Sequence, residues 1–157
     1  IFGSSIALTA ITAVFLTLIF RIGIASRAVL VLSSSYAEAR RIKDFFEDLG
    51  GKWGARPEVI HKAGHACAEL HEFFVGFSPA NEEMRLEVSF DEHVLTVCAE
   101  YNGPELQVTN NRPHPDELLE DEKALARLSG FLVTHYADRI KQVKHQKRSR
   151  VFLSFEH

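Results

Sequence analysis

The stretch MRLEVSFDEHVLTVCAEY, residues 84–101, decides the fold class of this chain of 157 residues. Apolar and polar side chains alternate over residues 84–90, which is the period-two pattern of a half-buried strand. Residues 91–93 then turn the chain, and residues 94–101 return as the antiparallel partner. We therefore predict a β-hairpin at the centre of a sheet.

Upstream of this hairpin, the pattern predicts one strand and two helices. The run RAVLVLS at residues 27–33 is apolar and β-branched, which is typical of a strand. Serines at its end can cap a helix over residues 36–49, and Gly50 and Gly51 are expected to stop that helix. Pro57 suits the first turn of a second helix, which should reach about Phe77.

Downstream of the hairpin, a loop rich in asparagine and proline precedes a third helix. That helix is predicted to begin near Pro115 and to break near Gly130. Residues 138–143 and 151–155 are expected to form a closing hairpin. Helices grouped between strands in this way indicate an α+β sandwich with a mixed sheet and helices on one face. We assign residues 27–157 to this single domain.

The first twenty residues contain no charged side chain, and Arg21 ends the run. A helix of that length spans about 30 Å, the thickness of a bilayer hydrocarbon core. We therefore predict a transmembrane helix over residues 1–24. Its small and hydroxyl-bearing residues suit a helix packed among other membrane helices. One alternative is a secretory signal, which would need a basic stretch before the run. The other is a helix buried inside a soluble protein, but a chain of this size rarely encloses such a helix completely.

Basic residues follow this run closely, and such residues mark the cytoplasmic side of a membrane. They are Arg21, Arg27, Arg40, Arg41 and Lys43. We expect a protein of the bacterial inner membrane whose soluble domain lies in the cytoplasm. Two cysteines imply no disulfide framework, and a net charge of -3 argues against nucleic acid as a partner. Because no methionine starts the chain, we expect it to be part of a longer protein.

Two groups on the second helix could carry chemistry. His61, His65 and Glu69 follow one another at four-residue steps, so two histidines one turn apart could chelate zinc or nickel. No third ligand is placed by spacing, so a solvated helix edge is favoured and no metal site is predicted. Cys67 and His71 share the apolar face of the helix, where packing is favoured over a nucleophilic pair.

A basic cluster surrounds the turn of the closing hairpin. Its members are Lys141, Lys144, Lys147, Arg148 and Arg150. On a membrane-tethered domain these cations could contact anionic lipid, with about 1 kcal/mol contributed by each. The alternative, which we favour on sequence alone, is a solvated turn that keeps a sheet edge from aggregating.

The segment IFGSSIALTAITAVFLTLIFRIG, residues 1–23, resembles the last transmembrane helix of the nucleobase:cation symporter-2 family, the xanthine/uracil permeases. The small residues at its start and the terminal FRIG carry the resemblance. It implies that the chain is the C-terminal part of a membrane nucleobase permease. The partners of this segment would then be membrane lipid and the other helices of the same permease. The resemblance is also compatible with a homo-oligomer.

The rest of the chain resembles the histidine-kinase-like ATPase fold of anti-sigma factor kinases. The hairpin EMRLEVSFDEHVLTVCAEYNG, the segment LARLSGFLVTHYADRIKQ and the final strand VFLSF carry this resemblance. In that family the second helix bears a glutamate, followed four residues later by an asparagine that holds magnesium. Glu69 matches the glutamate, but Phe73 stands at the asparagine position.

Two further nucleotide motifs of the family are degenerate in this chain. The central strand of the family ends in D-x-G, whose aspartate recognises adenine, and only Gly103 of this motif is retained. The glycine-rich phosphate lid is reduced to Gly130 in ALARLSG. The resemblance therefore implies a degenerate nucleotide site whose remaining residues are Glu69, Gly103 and Gly130.

We expect a regulatory or interaction domain that has lost ATP chemistry, is not an enzyme, has no cofactor and responds to a small-molecule or protein regulator. One alternative is a membrane-anchored serine kinase of the anti-sigma type, which would use ATP and magnesium with Glu69 as general base. Another is an adaptor whose pocket binds a different small molecule.

Overall fold

The computed structural model describes residues 9–13, which are helical, and residues 25–157. In the second range the strands are β1 (Ser26–Ser33), β2 (Glu83–Phe90), β3 (Val94–Asn102), β4 (Arg139–His145) and β5 (Arg148–Glu156). The helices there are α1 (Ala39–Trp53), α2 (Pro57–Phe77), α3 (Pro115–Glu120) and α4 (Glu122–Tyr136). A short 3-10 helix, Tyr36–Glu38, leads into α1.

The transmembrane helix predicted over residues 1–24 lies outside the described residues, apart from the helical stretch 9–13. Among the helices of residues 9–13 and 25–157, none combines the length and the apolar character that a bilayer crossing requires.

The strands form one sheet in the order β1-β2-β3-β5-β4, and every neighbouring pair is antiparallel. The predicted mixed sheet is therefore wrong, and the connections explain why. Two helices join β1 to β2, so the chain travels the length of the sheet twice and β2 returns antiparallel to β1. The return through α4 lets β4 run in the direction of β3, but β5 lies between these two strands.

One face of the sheet carries the core, as the alternating pattern predicts. On β2, β3 and β5 every second side chain is buried. The helices cover this face, which confirms their predicted placement on one side. The largest buried side chains of the helices and of this sheet face include Phe46, Leu70, Phe74, Leu86, Leu95 and Phe155.

Helix α1 continues past the two glycines that were predicted to stop it. Gly50 packs so closely against α2 that an added Cβ would lie 3.1 Å from a side-chain carbon of Ile60. The extra turn brings Trp53 onto the ring of Phe90, with the ring centroids 6.4 Å apart. The helix ends instead at Gly54, whose φ of 66° is left-handed. Gly50 is thus a packing position, and the partial burial of Trp53 favours the longer helix.

The third predicted helix breaks at Asp121 and not near Gly130. The Asp121 carboxylate accepts the backbone N–H of Lys123 at 2.9 Å, which caps the start of α4. Gly130 lies inside α4. The closing hairpin is confirmed, with its turn at residues 146–147.

Two glycines three positions apart give opposite predictions. Gly51→Ala should raise the free energy of unfolding by about 0.5–1 kcal/mol, because Gly51 is inside α1 and no atom lies within 4 Å of an added Cβ. Gly54→Ala should lower it by about 1 kcal/mol, because φ is left-handed there. Urea denaturation of both variants measures these changes, and equal effects would contradict the assigned end of α1.

Candidate functional site

The magnesium-ligand position of the resembled family is part of the core in this chain. Phe73 projects from α2, is 2% exposed and packs against Phe77 with ring centroids 5.0 Å apart. A phenyl ring offers no oxygen to a hard cation such as magnesium. Residue 73 therefore packs the core and cannot ligate a metal.

At the end of β3, where the family reads adenine, the side chains of Tyr101 and Asn102 are hydrogen-bonded within the protein. The buried Tyr101 ring meets Phe74 edge-on at 5.7 Å, and its hydroxyl donates to the Pro104 carbonyl at 3.0 Å. Burial raises the pKa of the Tyr101 phenol. The Asn102 amide donates to the Glu82 carboxylate at 2.9 Å. Both side chains are thus already hydrogen-bonded within the fold.

The segment that follows β3, residues 103–108, is fastened to the closing hairpin. The Gly103 N–H donates to the Lys147 carbonyl at 3.0 Å, and the Gly103 carbonyl accepts the Ser149 hydroxyl at 2.9 Å. Leu106 is buried, and its carbonyl accepts the Gln142 amide at 2.8 Å. These bonds hold the segment in one place against β4 and β5. Neither Gln142 nor Ser149 is predicted from the sequence, because no local pattern marks a side chain that bonds a distant loop.

Gly130 has a packing role in the same region. A Cβ added to Gly130 would overlap the backbone carbonyl of Gln107. Only a residue without a side chain lets α4 approach residues 103–108 this closely. The structure therefore brings Gly130 against the segment that Gly103 begins.

The region that corresponds to the phosphate lid is helical. Residues 124–130 belong to α4, which is continuous from Glu122 to Tyr136. A glycine-rich lid binds phosphate through free backbone amides. In a helix the amides beyond the first turn donate to carbonyls four residues earlier. Residues 126–130 thus have no free amides to offer a phosphate group.

Glu69, the third residue of the degenerate site, is half-buried on α2. Burial raises the pKa of its carboxyl, and the nearby Glu72 raises it further. Among the hydrogen bonds of the described residues, none joins the Glu69 side chain to the backbone of Gly103 or Gly130. The structure thus connects the two glycines through residues 103–108 and leaves Glu69 apart from that contact.

The two histidines of α2 line a groove between α1 and α2 with a volume of about 520 Å³. His61 and His65 are exposed, and His65 stacks on Tyr136 with ring centroids 5.3 Å apart. Within residues 9–13 and 25–157, no group of three potential ligands is placed to hold a metal ion. The floor of the groove is apolar and includes Phe46 and Ile60.

Cys67 and His71 lie in the core, as favoured from the sequence. Cys67 is fully buried, and burial raises the pKa of its thiol. The Nε2 atom of buried His71 lies 2.9 Å from the Ser33 carbonyl, to which it donates as the N–H tautomer. This bond ties α2 to the end of β1.

A second groove, of about 440 Å³, lies at the ends of β2 and β3 and has a charged lining. Glu82, Arg85, Glu100 and Arg148 are among its residues. Neither this groove nor the one between α1 and α2 is lined by Glu69, Phe73 or Gly130.

No protein-family model matches the sequence, and no curated protein matches it either. Among solved structures, the chain is similar to a crystal structure of the RsbU and RsbW domains of Rv1364c from Mycobacterium tuberculosis. The TM-score is 0.57 at 11% sequence identity, and the match covers 84% of this chain and 33% of that one. At this identity the match shows the fold alone.

The fold is that of RsbW, the histidine-kinase-like ATPase fold of anti-sigma factors. This agrees with the second resemblance of the sequence. The chain spans about a third of the matched structure. Nothing in these comparisons supports the permease resemblance.

The contact at Gly130 predicts a loss of stability on substitution. Gly130→Ala should lower the free energy of unfolding by about 1–3 kcal/mol, because the methyl group must displace the backbone at Gln107. Gly76→Ala is the matched control. Like Gly130, Gly76 lies in a helix, here α2, but a Cβ added to it meets nothing within 4 Å. Denaturation curves of the two variants measure the difference. A neutral Gly130→Ala would contradict the close contact.

The burial of Glu69 predicts a pH-dependent effect. A carboxyl whose pKa is raised on folding holds more protons in the native state, so its contribution to stability falls as pH rises through the interval between the unfolded and folded pKa values. Glu69→Gln should therefore be more stable than the parent at pH 7. The advantage should shrink below about pH 4, near the pKa of an unperturbed glutamate. Melting temperatures across this range test it, with the exposed Glu58→Gln on the same helix as a control that should show no gain.

Proposed function

We propose that residues 26–157 form a regulatory domain that has the fold of anti-sigma factor kinases and acts by binding another molecule, without phosphoryl transfer. Residues 1–24 attach this domain to a membrane. The observation that carries the first part is the replacement of each nucleotide motif by contacts within the protein.

Each of these replacements removes a different requirement for ATP. Phe73 takes away the metal ligand and fills its position with a buried ring. Tyr101 donates its hydroxyl to Pro104 where the family has an adenine-reading aspartate. Helix α4 uses within itself the amides that a lid would present to phosphate. The residues present therefore do not fit magnesium and ATP.

The competing proposal is a kinase that binds ATP with Glu69 as general base. The fold match favours it over the permease interpretation, since RsbW belongs to the kinase type. A raised pKa also suits a general base. This proposal nevertheless needs magnesium held without the asparagine and phosphate held without a lid.

The permease interpretation concerns residues 1–24 and rests on sequence resemblance. Its support is the uncharged run that Arg21 ends, and it names neither a substrate nor a coupling ion. The coding sequence upstream of Ile1 tests it. A series of hydrophobic spans there would support a permease, and a start codon or a soluble domain directly before Ile1 would overturn it.

Titration with magnesium and ATP distinguishes the regulatory domain from the kinase. Isothermal calorimetry on the full chain in detergent should give no saturable binding. Ligand binding to a folded protein at one hundred times Kd would add about 2.7 kcal/mol of stability, so the melting temperature offers a second measurement. Saturable binding that Glu69→Ala abolishes would establish the kinase instead. Nucleobases in the same melting assay test the small-molecule regulator.

Restoring the family's asparagine should not restore the nucleotide site. Phe73→Asn should lower the free energy of unfolding by about 3 kcal/mol or more, because it leaves a cavity and buries an amide. It should also leave magnesium–ATP binding undetectable, since the lid remains helical. Phe73→Leu is the control for lost volume and should cost less. A stable Phe73→Asn variant that binds ATP would contradict the proposed packing role.

A further inference from the structure

Within the described part of the chain, no helix or strand covers the face of the sheet opposite the helices, and this open face carries most of the cations of the strands. The register of the strands places on this face Arg27, Arg85, Arg139, Lys141, Arg148 and Arg150. All six side chains are exposed. The carboxylates on the same face are Glu83, Glu87, Glu100 and Glu156.

The carboxylates of this open face do not balance its cations. Glu100 binds two arginines, with one oxygen 3.0 Å from Arg148 and the other 2.6 Å from Arg150. Lys141 and Lys147, the latter in the hairpin turn, form no ion pair with any residue in the described part of the chain. The open face thus has a positive surplus, although the whole chain has a net charge of -3.

The structure divides the basic cluster that was predicted around the last turn. Lys141, Arg148 and Arg150 belong to the open face. Lys144 is opposite the buried Ser149 and therefore lies on the other face. Protection of the β4 edge does not account for this arrangement, because Arg148 and Arg150 are on β5, which has a neighbour on each side.

Apolar side chains accompany the cations on both edge strands. Val29 and Val31 on β1 are 46% and 43% exposed, and Val143 on β4 is 48% exposed. Half-buried Phe152 is the register partner of Lys141. Exposed apolar residues among cations are typical of surfaces that lie at the lipid–water interface.

The proposed attachment holds this face near the membrane. Four residues separate Arg21 from Ser26, where β1 begins, and the five residue-to-residue steps span at most about 18 Å when extended. A sheet of eight-residue strands is about 26 Å long, and five strands are about 19 Å wide. A sheet that lies flat on the membrane therefore brings cations from Arg27 at one corner to Arg148 at the other end onto the lipid.

We propose that the open face of the sheet docks onto anionic lipid headgroups of the membrane to which residues 1–24 attach the domain. This inference rests on the attachment stated under the proposed function. A second copy of the same face would bring surplus positive charge against positive charge. A phosphate-rich bilayer surface complements that charge and also accepts the exposed valines.

Cys98 reports on this docking, because it lies on the open face between Glu87 and Phe152 and is half-buried, whereas Cys67 is fully buried. The full chain in nanodiscs of phosphatidylcholine is compared with the chain in nanodiscs containing about 30% phosphatidylglycerol. A membrane-impermeant maleimide modifies Cys98 at mildly alkaline pH, since burial raises the pKa of its thiol. We expect modification to be about tenfold slower in the anionic discs, and about 0.5 M salt to remove the difference.

Two matched triple variants distinguish the effect of the cations on the open face from the effect of the total charge of the chain. Arg27→Gln, Lys141→Gln and Lys147→Gln together should remove the protection, and they leave Arg150, which acts on the Cys98 thiol, in place. Arg40→Gln, Lys52→Gln and Lys123→Gln remove the same charge from helices α1 and α4 and should keep the protection. Equal modification rates in the two kinds of disc, or loss of protection in both triple variants, would overturn the proposal.

Two further measurements separate this docking from the attachment and from other partners. Flotation of the chain with neutral vesicles at alkaline pH tests the attachment alone. If the chain floats only with anionic vesicles and Cys98 is protected there, the docking is supported and the attachment is refuted. Protection of Cys98 by an acidic peptide or by DNA without lipid, equal to that by anionic discs, would assign the face to that partner and overturn the lipid proposal.

Discussion

One-sided burial of the antiparallel sheet is the constraint on which the rest of the structure depends. Alternation along β2, β3 and β5 places every second side chain on the helix side, where Leu86, Val97 and Leu153 are fully buried. The hydrophobic effect then requires α1, α2 and α4 to cover that side. The other side carries arginines, lysines and glutamates, some of them ion-paired with one another, together with exposed valines.

The degenerate nucleotide region follows the same principle of internal burial. Here the side chains of Tyr101, Gln142 and Ser149 donate hydrogen bonds to backbone carbonyls of residues 103–108. Phe73 adds a buried ring in place of a metal ligand. The packing and hydrogen bonds of this region thus contribute to the stability of the domain. This favours a function that the surface of the domain carries.

Local patterns predicted most of the elements. The central hairpin, the span of α2 and the closing hairpin were found because alternation, proline at a helix start and β-branched runs act over a few residues. The end of α1 was missed because contacts outside the helix decide it, with Ile60 on the next helix and with Phe90 on β2. The continuity of α4 was missed because a glycine inside a helix can be a breaker or a contact point. Gly130 is a contact point, since Gln107 packs against it.

The sequence by itself determined which faces are apolar, where the central hairpin lies and that the family's asparagine is absent at Phe73, because each of these depends on residue type and spacing alone. Tertiary structure decided the antiparallel order of the strands, the closure of the loop after β3 and the positive surplus of the open face. Those features depend on register and on contacts between residues such as Glu100 and Arg150, which are far apart in the chain and adjacent only after β3 and β5 have paired.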